Sequence, residues 1–66
     1  MKKFTATKAG HFYEFYEDEA VEMNKIFPNK VIHIVNGMKT VAFPYHEIYS
    51  VQAKCKEEHE IEFDIP

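Results

Sequence analysis

The sequence has little of what usually holds a small protein together or takes it out of the cytoplasm. Cys55 is the only cysteine, so an intrachain disulfide is excluded, and a lone thiol is more typical of a reducing compartment. Uninterrupted apolar runs are no longer than three residues, far below the ~20 needed to span a bilayer. No apolar segment follows Met1, Lys2 and Lys3, so we expect no export signal. These absences predict a soluble, cytoplasmic protein without membrane contact.

Glycine and arginine are also scarce. The two glycines, Gly10 and Gly37, are isolated, which excludes a glycine-rich loop for phosphate groups. Arginine, the residue that makes bidentate contacts to phosphate and guanine, is absent. An RNA or single-stranded DNA binder that uses lysines and stacking tyrosines on a sheet stays an alternative. The lack of arginine disfavours it.

The length of 66 residues predicts a single small domain, residues 1–66, with a marginal hydrophobic core. Neither disulfides nor an evident metal site supplements that core. We therefore expect self-association, as a homodimer that pairs exposed strand edges.

Charge is segregated along the chain. The net charge is −3, yet residues 10–22 and 57–66 each hold five acidic residues and no lysine. These blocks predict either a solvated surface that blunts a strand edge or an acidic face that recognises a basic partner, as a phosphate mimic would. The acidic blocks and two tyrosines supply the candidate partner-binding residues: Glu60, Glu62, Asp64, Glu14, Glu17, Asp18, Tyr45 and Tyr49.

The clearest structural signal is a β-hairpin. Asn36-Gly37 separates the β-branched run 31–35 from the run 38–43, which is the type I′ turn signature. Both faces of residues 31–35 are apolar, so we expect a central strand that is covered on both sides. Pro44 ends the hairpin.

Weaker signals define the remaining elements. Residues 4–8 and 11–16 predict a first hairpin, 18–26 a short helix, and 48–54 and 59–65 two further strands, the last with an acidic outer stripe. The fold class expected is β-rich: a small antiparallel meander or partly closed barrel of four to six short strands with at most one short helix. The alternative is α+β, with one helix over 11–27 on a three- to four-stranded sheet.

Chemistry-bearing residues are few. Cys55 and His59 have one spacing compatible with zinc, and His46 or His11 is the candidate to complete the site. Ser50 and Cys55 have no recognisable base partner, so catalysis is not expected. We therefore predict no cofactor and a non-enzymatic protein-binding module, a regulator, adaptor or inhibitor, acting through an acidic and aromatic surface. A zinc-dependent Cys/His module is the alternative of a different class.

Overall fold

Six short strands and two α-helices make up the structure, a computed structural model that describes residues 1–66. In chain order the elements are β1 (Lys2–Thr5), β2 (Thr7–Ala9), β3 (Phe12–Tyr16), α1 (Asp18–Ile26), β4 (His33–Val35), β5 (Met38–Pro44), a 3₁₀ turn (Tyr45–Glu47), α2 (Ile48–His59) and β6 (Ile61–Asp64). Neither helix has the length and apolar character needed to cross a membrane.

The strands form two sheets, and the chain passes from one to the other between β1 and β2. One sheet is antiparallel in the order β2-β3-β5-β4, and the other is the parallel pair β1-β6. The chain bends at Ala6, whose N–H donates to the Asp64 carbonyl at 3.0 Å, and then passes from the β6 ladder to the β3 ladder. The β-rich class and its six short strands are confirmed, and the sheets stay open rather than closing into a barrel.

The β4-β5 hairpin is confirmed, with Asn36 (φ 51°) and Gly37 (φ 77°) both at the positive φ that a type I′ turn requires. The expectation that residues 31–35 form a central, covered strand was wrong. The strand contains only His33–Val35, all exposed, and it lies at the sheet edge. The reason is that α1 packs on β3 and β5 and does not extend over β4. Of the apolar residues beside β4, Ile32 is packed against the core.

Residues 11–27 divide as the strand interpretation predicted, into β3 and the short helix α1. Asp18 and Glu19 lie in the first turn of α1 and Lys25 in the last, an arrangement that complements the helix dipole. The alternative of one helix over 11–27 does not form.

The strand predicted over residues 48–54 was wrong, because this segment is the first part of α2. The sequence alternates weakly here, but the residues that become buried are Ile48, Val51 and Cys55, which repeat at helical spacings of three and four. Tyr49 lies between them and is exposed. The chain therefore has two α-helices where at most one was expected.

The core lies between the sheet and the two helices. Its centre is Phe15, whose ring centroid is 4.8 Å from that of Phe63, 5.9 Å from Phe43 and 6.4 Å from Phe4. The buried hydrophobic residues are Phe4, Ala6, Tyr13, Phe15, Ala20, Met23, Val41, Phe43, Ile48, Val51, Cys55, Ile61 and Phe63. Helix α1 packs on β3 and β5 of the four-stranded sheet and α2 packs on β6, and both helices contribute residues to this core.

Candidate protein-interaction surface

The opposite face of the four-stranded sheet is covered by neither helix. Side chains alternate along each strand, and cross-strand partners share a face. The side chains of four residues of β3 and β5 point into the core: Tyr13, Phe15, Val41 and Phe43. The residues that alternate with them along the two strands, and the cross-strand partners of those residues, therefore point away from the core. We call this surface the open face; it consists of Thr7, Ala9, Phe12, Glu14, Tyr16, His33, Val35, Met38, Thr40, Ala42 and Pro44. Among these residues only Thr40 is buried, with 1% of its surface exposed.

The open face is poor in charge. Glu14 is its only acidic residue and it contains no lysine, although 29% of the chain is charged. Phe12 is 46% exposed, Val35 37% and Met38 36%. An antiparallel sheet with one face in water normally carries polar side chains there. Phe12 lies beside Pro44 at one end of the open face, and Val35 and Met38 lie at the other end, next to the turn of the β4-β5 hairpin.

Most polar groups of the open face are paired with each other. The Tyr16 hydroxyl donates to Glu14 Oε1 at 2.7 Å. This hydrogen bond, with burial and the negative charge adding to it, raises the pKa of the Tyr16 phenol. The Thr40 hydroxyl donates to the Met38 carbonyl at 3.1 Å. One negative charge, that of Glu14, therefore lies between Thr7 and Ala42 near the middle of an otherwise uncharged surface.

Of the two predicted tyrosines, Tyr45 adjoins the open face. Its N–H donates to the His11 carbonyl at 2.8 Å, and the two rings are 6.1 Å apart, next to the pair formed by Phe12 and Pro44. Tyr49 lies in the first turn of α2 and is 67% exposed, but it is not part of the open face.

The predicted acidic residues fall into two groups that the first strand separates. Glu14 is on the open face, Glu17 follows β3 in an exposed turn with φ 56°, and Asp18 is the first residue of α1. The Glu17 N–H donates to the Lys39 carbonyl at 2.8 Å. Of these three residues only Glu14 belongs to the open face, and Glu17 and Asp18 lie beyond the end of β3, where the chain enters α1.

The second group lies at β6, where lysines accompany the carboxylates. Glu62 is beside Lys3 in the ladder, and its Oε2 is 3.9 Å from Lys56 Nζ. Asp64 is exposed and lies beside Thr5 in the ladder, whereas Glu60 is the C-cap residue of α2 and precedes β6. The result is a surface of mixed charge rather than a continuous acidic row.

The candidate metal ligands do not converge. Cys55 is buried in α2, and desolvation raises the pKa of its thiol to about 11, so it is protonated near neutral pH. His59 is exposed at the end of the same helix. His46 lies in the 3₁₀ turn, where its Nε2 is 3.8 Å from Glu47 Oε2. No group of three or more His, Cys, Asp or Glu side chains is placed to hold a metal ion.

One open pocket of about 350 Å³ lies beside Phe27 and Phe43, at the end of the core. Its polar lining is largely paired internally. Lys30 Nζ is 3.6 Å from Glu47 Oε1 and 5.3 Å from the centre of the Phe43 ring, and the Ser50 hydroxyl donates to the Glu47 carbonyl at 2.9 Å. These pairings leave no activated nucleophile in the pocket.

No protein-family model matches the chain, and no curated protein is similar to it. The function is therefore argued from geometry. Sequence reasoning missed Phe12, Val35, Met38 and Ala42 as surface residues. The alternation of residues 38–44 was a signal for Met38 and Ala42, but assigning its two faces, and placing Phe12 and Val35 on the same face, requires the ladder register.

Proposed function

We propose that the chain is a non-enzymatic protein-binding module, a small regulator, adaptor or inhibitor, that binds its partner through the open face. The observation that carries this proposal is a sheet face with one charged side chain among eleven and with Phe12, Val35 and Met38 in contact with solvent. Apolar area that a partner removes from water contributes about 25 cal/mol per Å² before the costs of association.

The partner we propose is an amphipathic helix with basic residues beside its apolar stripe. Helices already cover one face of the sheet, and a helix on the other face completes a common layered architecture. Four strands are about 14 Å from first to last, enough to seat a helix about 10 Å in diameter. The negative charges of Glu14, Glu17 and Asp18 favour lysine or arginine next to the apolar residues of that helix.

The same surface gives little support to the nucleic-acid alternative. Stacking aromatics need cationic side chains beside them to contact phosphates, and the open face has no lysine. The zinc alternative has no converging ligands. A reducing, cytoplasmic location is part of the proposal and is supported by the single, buried thiol of Cys55.

The test uses Ala42→Lys, at the centre of the open face. Ala42 is opposite Glu14 in the ladder, so the new lysine has a cross-strand acidic neighbour and the fold is expected to persist. The charge blocks apolar contact and neutralises the attraction for a basic helix. We expect recovery of the partner from host extract, by photo-crosslinking through an analogue at Phe12, to fall about tenfold or more.

The matched control is Tyr49→Lys, which adds the same charge on α2, outside the open face. It should leave crosslinking unchanged. Two results would contradict the proposed function. One is recovery of as much crosslinked partner with Ala42→Lys as with the wild type, and the other is the absence of any partner crosslinked through the Phe12 position.

A further inference from the structure

The sheet edges of this molecule are protected unequally. At the outer edge of β6, the Phe63 N–H donates to the side chain of Gln52 from α2 at 3.3 Å. At the free side of β1, the Thr5 N–H donates to Glu19 Oε1 from α1 at 3.0 Å. The edge strand β2 carries Lys8, a residue typical of protected edges. The edge strand β4 has neither a side chain bonded to its free backbone groups nor a lysine, and its length of three residues is its only protection.

The β4 edge is apolar as well as free. Its three residues, His33–Val35, are all exposed and include no formal charge at neutral pH. Ile34 is 68% exposed, and Val31, two residues before the strand, is 64% exposed. A free edge with exposed β-branched side chains pairs readily with another strand. In this chain nothing internal covers it.

The hairpin geometry determines which backbone groups point outward. In a two-residue hairpin the residues that flank the turn exchange hydrogen bonds, and the pairs alternate along the ladder. Val35 with Met38 and His33 with Thr40 are therefore hydrogen-bonded pairs, and Ile34 with Lys39 is not. The N–H and C=O of Ile34 point away from β5, toward the free edge.

We infer that β4 pairs with β4 of a second copy of this chain, antiparallel about a two-fold axis at Ile34. A two-fold axis makes the strands antiparallel and the contact self-complementary. The Ile34 N–H then donates to the carbonyl of Ile34 of the partner subunit, and the partner subunit's Ile34 donates in return. The two four-stranded sheets become one sheet of eight strands, with the Ile34 side chains in contact.

Charge selects the edge over the open face as the site of this self-association. Two open faces packed on each other would bring two Glu14 carboxylates into one buried interface, which is costly. At the β4 edge the nearest like charges are the two Lys39 ammonium groups, on strands three spacings apart. That separation is about 14 Å, beyond the ~8 Å screening length at physiological salt. A second copy is also the one partner that is always present at equal concentration.

The test compares masses in solution at high micromolar concentration. Sedimentation should give about twice the chain mass of 7.8 kDa for the wild type and the chain mass for Ile34→Glu, which places two like charges on the axis. Circular dichroism of Ile34→Glu should match the wild type because the side chain is exposed and its cross-strand partner is Lys39. A monomeric wild type, or a dimeric Ile34→Glu, would overturn the inference.

Two further variants separate this dimer from other arrangements. Tyr49→Lys, a charge at an equally exposed position on α2, should remain dimeric. Ala42→Lys should also remain dimeric while losing the partner of the proposed function, so either proposal can fail without the other. A monomeric Ala42→Lys would show face-to-face packing instead.

A backbone variant removes one hydrogen bond without adding charge. Because the chain has 66 residues, N-methylation of Ile34 by total synthesis is practicable. We expect a folded chain whose dimer dissociation constant rises about tenfold or more. Unfolding of the hairpin would contradict the outward direction of this N–H.

Discussion

Cys55 shows at the scale of one residue how burial removes reactivity. Its side chain is buried in α2 with Ile48 and Val51, and this burial raises the thiol pKa to about 11. The thiolate is the form that binds metals and attacks electrophiles. The buried thiol packs in the hydrophobic core as a small apolar group.

The raised pKa of Cys55 predicts a loss of stability at alkaline pH. In the unfolded chain a thiol titrates near about pH 8.5, whereas the folded thiol keeps its proton until about pH 11. The stabilising contribution is therefore complete below about pH 8.5 and falls as the pH rises toward 11.

Cys55→Ala removes this titration at a cost of about 1 kcal/mol from lost packing. Urea unfolding between about pH 7 and 10 should give a flatter pH profile for the variant than for the wild type. Parallel profiles would contradict the assignment of the alkaline loss to Cys55.

At the scale of elements, the boundary between α2 and β6 depends on a single residue. Glu60 has φ 55° and ψ 43°, the left-handed conformation, and its N–H donates to the Cys55 carbonyl. Glycine is the residue that adopts this helix-ending conformation without steric cost. The local strain at Glu60 lets the chain leave the helix and enter the β1 ladder immediately, at Ile61.

Replacing the strained residue by glycine should therefore stabilise the protein. We expect Glu60→Gly to raise the free energy of unfolding by about 0.5–1 kcal/mol, measured by chemical denaturation. The matched control is Glu57→Gly, an exposed position inside α2, where glycine should cost about 1 kcal/mol. Equal losses for both variants would show that Glu60 is not strained.

At the scale of the whole molecule, the parallel pair β1-β6 closes the chain near its two ends. Phe4 and Phe63 are partners in this ladder, and both rings contact Phe15 at the centre of the core. Residues almost 60 positions apart in sequence thus complete one hydrophobic cluster. We expect unfolding to be cooperative, because the core is incomplete until β6 has paired with β1 and Phe63 has packed against Phe15.

Phe63→Ala should therefore affect the entire fold. Truncating a buried phenylalanine costs about 3–5 kcal/mol, against a total stability of roughly 3–10 kcal/mol for a chain of this length. Circular dichroism and thermal melting should show a largely unfolded or strongly destabilised protein. Asp64→Ala, an exposed position on the same strand, should melt near the wild-type temperature. If Phe63→Ala melted in a sharp transition near the wild-type temperature, the proposed role of the β1-β6 pair in completing the core would be contradicted.

Local signals determined the elements that depend only on neighbouring residues. Asn36-Gly37 specifies its turn because both residues tolerate positive φ, and the charges of residues 18–25 specify α1 because they complement its dipole. The alternation of Ile61 and Phe63 with acidic residues likewise predicted a half-buried strand, which β6 is.

Only the tertiary structure decided which apolar residues would be covered. The hydrophobic pattern of residues 48–54 fits both the two-residue period of a strand and the 3.6-residue period of a helix. Their contact with the core made them a helix. The β4 edge is exposed because α1 packs on β3 and β5 and does not extend over β4, although the β4 sequence is typical of a buried strand. The open face depends on the register of three strand pairs, and the β1-β6 ladder joins opposite ends of the chain. Burial belongs to the assembled chain, so a local pattern can indicate a strand but not what lies on either side of it.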